Sequence, residues 1–576
     1  FMKHQVCPRA MAISLSPSMP RLLMMAASVL LLKFFITLCQ HRMKFRQMKA
    51  RGIPIMEHSF LLGHLLVVRK FHLDWATDAN FIQSFGSYMA EHWKDFFPAE
   101  DSCPPVVYVD VWPLSRPMAY SLKAYVSNQM EMGQLLAKSP MQGKFLEPIS
   151  KGRDLNCMHG DEWRAWRSTF NPGFSKSNIR SWIPALLQDA QSFATVISKL
   201  CGEGGSWGPV FQLEKISADL AFDSAGRVII NSSLKSQTSC PSLFTLAYRE
   251  QLQRMEITLS PLKLLWRATP MFKMQVARRR RELFNHLRPF ICEAISGNSH
   301  GSPQTIVQAA VDACKQESQG SGKPQMRRDE DFVEQIFCQL MIFFFGGDDA
   351  ISTVIPWMFK HLESNPDCVA KLRAEHDKVL GLDPRAAADK IRLSPHILDS
   401  LQYTMGVIKE TLRINPATIT IRQGQRGFDF NIKGSEVPWP TDGFDLFDSS
   451  ITIHRDPENF PRPLEFIPDR FVVAEGHPLH PPKNVWRGFQ LGPRQCIGQE
   501  MAIVVLKLAL VAVVRDFDIE MAWDDWDKAQ QRMGVKVSKS TVEGDRMYTT
   551  GKATAHPKNG GPAHARMRRA KADGTV

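Results

Sequence analysis

Apolar residues recur along most of this chain at helical spacing. Between Pro395 and Asn415 they sit at 397, 398, 401, 405, 408 and 412, the stripe of a half-buried helix. The stretch NPDCVAKLRAEHDKVLG, Asn365 to Gly381, carries its own punctuation. Asn365 reads as the N-cap, Pro366 as the first helical residue and Gly381 as the stop. Strand-like pieces are short, such as Pro105 to Val111 and Ala417 to Arg422. The pattern predicts a mainly α fold with small β-sheets.

Two segments are apolar all round. Leu22 to Cys39 reads LLMMAASVLLLKFFITLC, with Lys33 as its one charge. As a helix it spans roughly 27 Å at about 1.5 Å per residue, enough for a bilayer core. Lys33 lies near one end and can extend its amine to the interface. A buried core helix is the other reading, and a cleaved signal would need an A-x-A-like site that does not follow. Arg42, Lys44, Arg46, Lys49 and Arg51 follow the segment, against Lys3, Arg9 and Arg21 before it. That excess places everything after residue 40 in the cytosol. Gly52 and Pro54 then read as a hinge.

The second segment, residues 343–354, reads FFFGGDDAISTV. Three successive helical residues sweep about 200° around the axis, so Phe343, Phe344 and Phe345 cannot share a face. The helix must be buried on every side. Gly346 and Gly347 weaken its middle, permitting close approach of another group and a widened turn. Pro356 cannot donate to the carbonyl of Ser352 and loosens it further. Asp348 and Asp349 place carboxylates where water is scarce.

Composition adds bounds. The chain has 576 residues, 22% charged and 44% hydrophobic, ordinary for a globular protein of one large domain or two to four smaller ones. Its net charge of +13 suits anionic partners. The eleven cysteines are scattered with no CxxC pair, against a zinc site or disulfide scaffold and for a reducing compartment. No internal repeat is visible. Residues 296–329 are polar and rich in Gly, Ser and Gln, a surface connection. Arg278 to Arg281 reads as a solvated helix face; nothing aromatic accompanies it, so nucleic acid is not an expected partner.

The densest chemistry lies at Phe489 to Gly498, FQLGPRQCIG, followed by a helical run from Gln499 to Arg515. A thiol at a turn leading into a helix meets free backbone N–H groups and the positive end of the helix dipole. That setting, with Arg494 two residues away, stabilises a thiolate and suits an anionic metal-bearing ligand held against a backbone loop. The pattern F-x-x-G-x-R-x-C-x-G, here Phe489, Gly492, Arg494, Cys496 and Gly498, resembles the haem-binding signature of the cytochromes P-450.

The resemblance runs from about residue 52 to 550 and implies a P-450 fold. A long central helix would lie over haem b, with the Cys loop on the proximal side and one N-terminal transmembrane helix ahead. It implies that Cys496 is the axial ligand of the haem iron, a thiolate that favours O–O cleavage. It implies a buried lock of Glu410 and Arg413, in KETLR, with Arg470, in FIPDRF. It further implies that Trp163, Arg167, Arg422 and Arg494 bind the haem propionates, donors suited to carboxylates. Gly346, Gly347, Phe489, Gly492 and Gly498 would shape the haem site.

Asp349 matches the family's distal acid, but the threonine that usually follows is Ala350. Three readings stay open. In the first, Asp349 with water, Ser352 or a substrate hydroxyl supplies protons to a monooxygenase. In the second, the chain is a haem-thiolate isomerase, dehydratase or peroxide-rearranging enzyme. In the third, it is a non-catalytic haem-binding membrane protein. No G-x-G-x-x-G in a βαβ unit exists here, so NADPH would act only through a reductase, an NADPH–cytochrome P-450 reductase. Phe343 to Phe345, Ala417 to Thr420 and Met547 to Thr549 would contact a large apolar substrate. HRDPENFPRPLEFIPDRF and the end of the chain resemble fungal microsomal members acting on secondary metabolites, which implies the endoplasmic reticulum membrane, membrane lipid as partner and a cytosolic catalytic domain. The expected organisation is a leader at 1–21 (a gene-model extension in character), an anchor at 22–39, a basic Pro/Gly hinge at 40–60, the haem-thiolate domain at 61–552 and a frayed basic tail at 553–576.

Overall fold

The computed structural model describes residues 18–255, 261–297, 303–320, 330–550 and 554–568. Expectations for the first seventeen residues of the leader, for residues 298–302 and 321–329 of the polar connection and for the last residues of the tail lie outside them. Between those two stretches the helix Ile306–Gly320 buries Ile306, Ala310 and Val311, so this part is packed into the core and is not a surface connection. The fold is mainly helical with small sheets. The N-terminal helix α1 (Ser18–Ala50) precedes the helices that build the site, α2 (Gly160–Phe170), α3 (Leu213–Ile230), α4 (Glu330–Glu363), α5 (Gln402–Ile414) and α6 (Gln499–Val513).

Strands β1 (Val106–Val109), β2 (Met118–Ser121), β7 (Asp445–Asp448) and β4 (Ile421–Gln423) form one sheet in that spatial order. β1 and β4 run antiparallel to their neighbours, while β2 and β7 are parallel, with Met118 opposite Asp445. β5 (Asp429–Phe430) and β6 (Trp439–Pro440) make a two-stranded ribbon. In a third sheet β9 (Pro562–Met567) lies between β3 (Phe211–Gln212) and β8 (Phe517–Met521).

The last sheet corrects the expected frayed tail. Residues 554–568 are part of the fold, and β9 pairs with β8 from Phe517 opposite Met567 to Met521 opposite Ala563. Ala563 and Ala565 face the core, while His564 and Arg566 point out to Asp525 and Asp518. The inward face is carried by alanines, so the alternation is real but too weakly apolar to stand out in a basic stretch.

The basic hinge is corrected as well. α1 continues unbroken to Ala50, and Arg42, Phe45 and Met48 on one of its faces are buried against the domain. Arg42 pairs with Asp110, and both side chains are fully buried. Its remaining donors go to the carbonyls of Phe60 at 2.9 Å and of Leu61 and Trp112 at 3.1 Å. His58 also reaches Asp110, at 3.0 Å. The chain crosses so tightly here that a Cβ at Gly63 would lie 2.6 Å from the Asp110 carbonyl oxygen. The part of α1 from Met24 to Ile36 is exposed, and Met24–Ala50 is long and apolar enough to cross a membrane. α4 passes the same test but is a buried core helix.

Two smaller expectations change. The stripe from Pro395 to Asn415 is a 3-10 turn, Pro395–Ser400, and then α5, whose start is capped when Glu375 accepts the N–H groups of Tyr403 and, at 2.8 Å, Thr404. The arginine run is not wholly solvated, since Arg280 is buried and pairs with Glu334 at 2.7 Å. Asn365 and Gly381 bound their helix as expected, with Gly381 at φ +92°.

Breaking a buried ion pair by removing one partner costs about 3–5 kcal/mol. Arg42→Ala is therefore expected to lower the denaturation midpoint of the detergent-solubilised chain clearly; an unchanged midpoint would show that the anchor helix is not held by this pair.

Candidate functional site

A cavity opens between α4, the N-terminal ends of α2 and α6, the segment Ala417–Thr420 and the loop before α6. α4 passes through as one continuous helix, so the expected widened turn does not form. Its three aromatics diverge as the helical geometry requires. Phe343 meets Phe170 and Phe174 edge-on at 4.8 and 5.0 Å, Phe344 packs on Phe244 at 5.1 Å, and Phe345 lies 5.9 Å from Phe145. Phe343, Phe345, Gly346, Gly347, Asp349 and Ala350 line the cavity; Phe344 and Met547 to Thr549 do not. A Cβ on Gly346 would project into open space, and one on Gly347 would sit 3.4 Å from Ala225.

The loop Phe489 to Gly498 forms the facing wall. Gly492, at φ +72°, brings it so close to Glu131 that a Cβ would lie 2.1 Å from that carbonyl oxygen, which excludes any side chain. The Cys496 N–H donates to the Phe489 carbonyl at 2.9 Å, which turns the chain into α6. Cys496 Sγ is exposed into the cavity, enclosed by protein on its other sides. Burial pushes its thiol pKa up, while the Gly498 N–H and the Arg167 guanidinium pull it down. The cation acting on this sulfur is thus Arg167, not the Arg494 expected from sequence. Arg494 instead stacks over Trp163 at 4.5 Å and donates to the Met158 carbonyl at 2.7 Å.

Trp163, Arg167 and Arg494 all line the cavity, but Arg422 does not. Arg422 is buried in a two-point ion pair with Glu131, made through its Nε at 3.0 Å and its Nη2. Its backbone pairs instead with Lys138, whose side chain does line the cavity. Sequence reasoning missed Lys138, which belongs to no recognisable motif. Burial first, and then the Arg422 charge, push its pKa well down.

The expected lock is assembled behind the loop. Glu410, Arg413 and Arg470 are fully buried. Arg413 binds both carboxylate oxygens of Glu410, at 2.7 and 2.9 Å, and Arg470 binds one at 3.2 Å. The Ile467 N–H donates to the same carboxylate, and Arg413 also donates to the carbonyls of His454, Pro463 and Glu465.

On the α4 side, Ser352 does not line the cavity; its hydroxyl donates to the Asp349 carbonyl at 3.1 Å. Asp348 is buried, and burial pushes its carboxyl pKa well up, with the Asp349 charge adding to the effect. Asp349 faces the C-terminal segment. Its Oδ2 accepts from the Thr554 hydroxyl at 2.6 Å, and its Oδ1 lies 3.0 Å from His556 Nε2. His556 Nδ1 meets Glu214. Burial alone would lower the His556 pKa, but Asp349 and Glu214 outweigh it and hold the ring up at about 9. Thr554 lines the cavity next to Ala350 and Asp349. Thr554 and Glu214 lie in no sequence motif; His556 lies in AHP, Ala555 to Pro557, part of the chain end that resembles fungal members, a likeness that assigned it no chemistry.

Residues 113–542 match the sequence model of the family described as Cytochrome P450. This chain belongs to the cytochrome P450 family. It is 30% identical over 544 residues to the cytochrome P450 monooxygenase polC of Polytolypa hystricis, covering 94% of each chain. It is 27% identical to the cytochrome P450 monooxygenase acrF of Aspergillus aculeatus, over 79% of this chain and 93% of that one. Human cytochrome P450 4V2 is 24% identical, over 86% and 90% respectively. As a P450 monooxygenase the protein is an oxidoreductase, and its family implies haem.

The residues present fit that group. The P450 cavity offers one open sulfur, a glycine face on α4, and a rim of Trp163, Arg167, Arg494 and Lys138. Arg494 Nε is buried without a hydrogen-bond partner, and Lys138 makes no ion pair among the described residues. Such donors are what two propionate carboxylates would satisfy. Two outcomes follow for this P450. Cys496→Ser is expected to lose the red-shifted band of the reduced CO-bound protein. Glu410→Ala, which leaves two arginines unpaired, is expected to cost about 3–5 kcal/mol in chemical denaturation; a loss below about 1 kcal/mol would show the lock to be dispensable.

Proposed function

We propose that this P450 hydroxylates or epoxidises a large apolar small molecule, a secondary metabolite, using O2 and electrons from an NADPH–cytochrome P450 reductase. The observation that carries this reading is Cys496 Sγ facing an apolar wall across a cavity rimmed by cations. Cys496 would hold the haem iron through its thiolate. Trp163, Arg167, Arg494 and Lys138 would hold the propionates by charge-assisted hydrogen bonds. When bound, haem supplies dioxygen activation and C–H oxidation. Phe343, Phe345 and Ala417 to Ile419 exclude water and orient an apolar substrate, and Asp349 presents its carboxyl group at the cavity wall.

The exposed stretch Met24 to Ile36 supports anchoring in the endoplasmic reticulum membrane with the folded domain in the cytosol. The basic balance of the chain supports docking to an acidic reductase surface. Ala350 favours a second reading, a haem-thiolate isomerase or dehydratase that consumes no NADPH.

The deciding experiment uses the full chain with a flavoprotein reductase. The expected result is a thiolate-type red-shifted CO band and NADPH consumption coupled to an oxygenated product, with substrate candidates ranked by spectral titration. A histidine-type band sinks the Cys496 assignment. Conversion of a substrate without NADPH moves the reading to the isomerase.

A further inference from the structure

The C-terminal segment brings a hydroxyl and an ionised histidine to the place where the central helix lacks its own hydroxyl. We propose that Thr554, Asp349, His556 and Glu214 form a proton relay into the cavity, with the Thr554 hydroxyl standing in for the one absent at Ala350. This proposal rests on the monooxygenase reading.

The atoms form a continuous chain. Glu214 meets His556 Nδ1, His556 Nε2 lies 3.0 Å from Asp349 Oδ1, and Asp349 Oδ2 accepts from Thr554 Oγ1 at 2.6 Å. Thr554 and Asp349 line the cavity; His556 and Glu214 do not and act through them. The Glu214 side chain retains 16% of its exposure, so the far end of the chain reaches solvent.

The fold holds the relay from several sides. β3 pairs with β9, Phe211 opposite Ala563, which sets the start of α3 and Glu214 beside the C-terminal segment. The Leu213 N–H donates to the Gly561 carbonyl at 3.1 Å and the Ala555 N–H to the Ala417 carbonyl at 2.8 Å. Trp357 Nε1 donates to the Ala555 carbonyl at 3.2 Å. A Cβ at Gly560 would come within 3.2 Å of Glu214 Oε2, so the glycine leaves room for that carboxylate.

Monooxygenation consumes two electrons and two protons for each dioxygen. One oxygen atom enters the substrate and the other leaves as water. When proton delivery fails, the same two electrons and two protons leave as hydrogen peroxide. The electrons come from the reductase. In the relay, Asp349 passes a proton toward the cavity through the Thr554 hydroxyl, takes one from the His556 imidazolium, and the ring regains one from solvent by way of Glu214.

The charged groups facing His556 are Asp349 from α4 and Glu214 from α3; beyond them lie Asp348, Asp219, Arg249 and Tyr248. Lys558, two residues on, is tied to Asp78. The ring is held protonated well above its ordinary range. Its stabilising contribution is therefore complete below its unfolded pKa and is lost as pH rises through about 9.

The test uses the full chain with reductase, NADPH and O2, no added substrate, and hydrogen peroxide measured per NADPH. Thr554→Val is expected to raise that ratio several-fold while keeping the thiolate-type CO band. Thr554→Ser, which keeps the hydroxyl, is expected to restore the ratio, and so is Ala350→Thr added to Thr554→Val. As a readout independent of turnover, His556→Gln is expected to melt below wild type at about pH 7 and to converge with it above about pH 10. An unchanged peroxide ratio in Thr554→Val with an intact CO band overturns the relay. A His556→Gln deficit that stays constant with pH overturns it as well. Absence of the thiolate band or of NADPH-dependent O2 uptake in the wild type overturns the monooxygenase reading itself, a failure visible before any mutation is made.

Discussion

The carboxylate of Glu410 is sealed from water with the guanidinium groups of Arg413 and Arg470. Ionised groups so deep survive only with partners and a full set of hydrogen bonds. Their partners include the Ile467 N–H and three carbonyls between 454 and 465. The chain approaching the Cys496 loop is thereby tied to α5. The same constraint recurs at several other buried charges. Arg42 finds Asp110, Arg422 finds Glu131, and Asp349 and Glu214 enclose His556. Each pair joins segments far apart in sequence, so each acts as a tertiary clamp as well as an electrostatic term.

Two of those clamps redirect residues from the roles their motifs imply. Arg422 lies on a strand at the distance from Arg413 that the family pattern expects. Glu131 pairs with it there, the Arg422 Nη1 is left without a partner, and Lys138 is the residue that lines the cavity. Asp349 lies on the central helix where the family has its acid. The hydroxyl bonded to it is that of Thr554, across the molecule, since position 350 has none.

Much of this was legible in the sequence where the signal is local. The 3.6-residue period, the caps at Asn365 and Gly381 and the turn chemistry around Gly492 concern residues a few positions apart, and their geometry follows from backbone sterics. The three-way divergence of Phe343, Phe344 and Phe345 is likewise pure helix geometry. The docked half of α1 was not legible. Arg42 among five basic residues looks like Lys44 or Arg46 until Asp110 is brought to it. β9 was hidden because alanine carries its inward face, and Pro395 to Asn415 looked continuous because its stripe runs across the break that Glu375 caps.

The sequence by itself determined the helical character, the apolar N-terminal helix, the Cys496 turn and the absence of a hydroxyl at position 350. These depend on periodicity, composition and spacing, quantities that a linear chain carries. Only the tertiary structure decided which cation acts on Cys496, that Lys138 and not Arg422 lines the cavity and which residues from distant segments meet Asp349. Those outcomes depend on contacts between residues hundreds of positions apart. There, desolvation favours a partner for a buried charge, and which partner it meets is set by which surfaces the fold presses together.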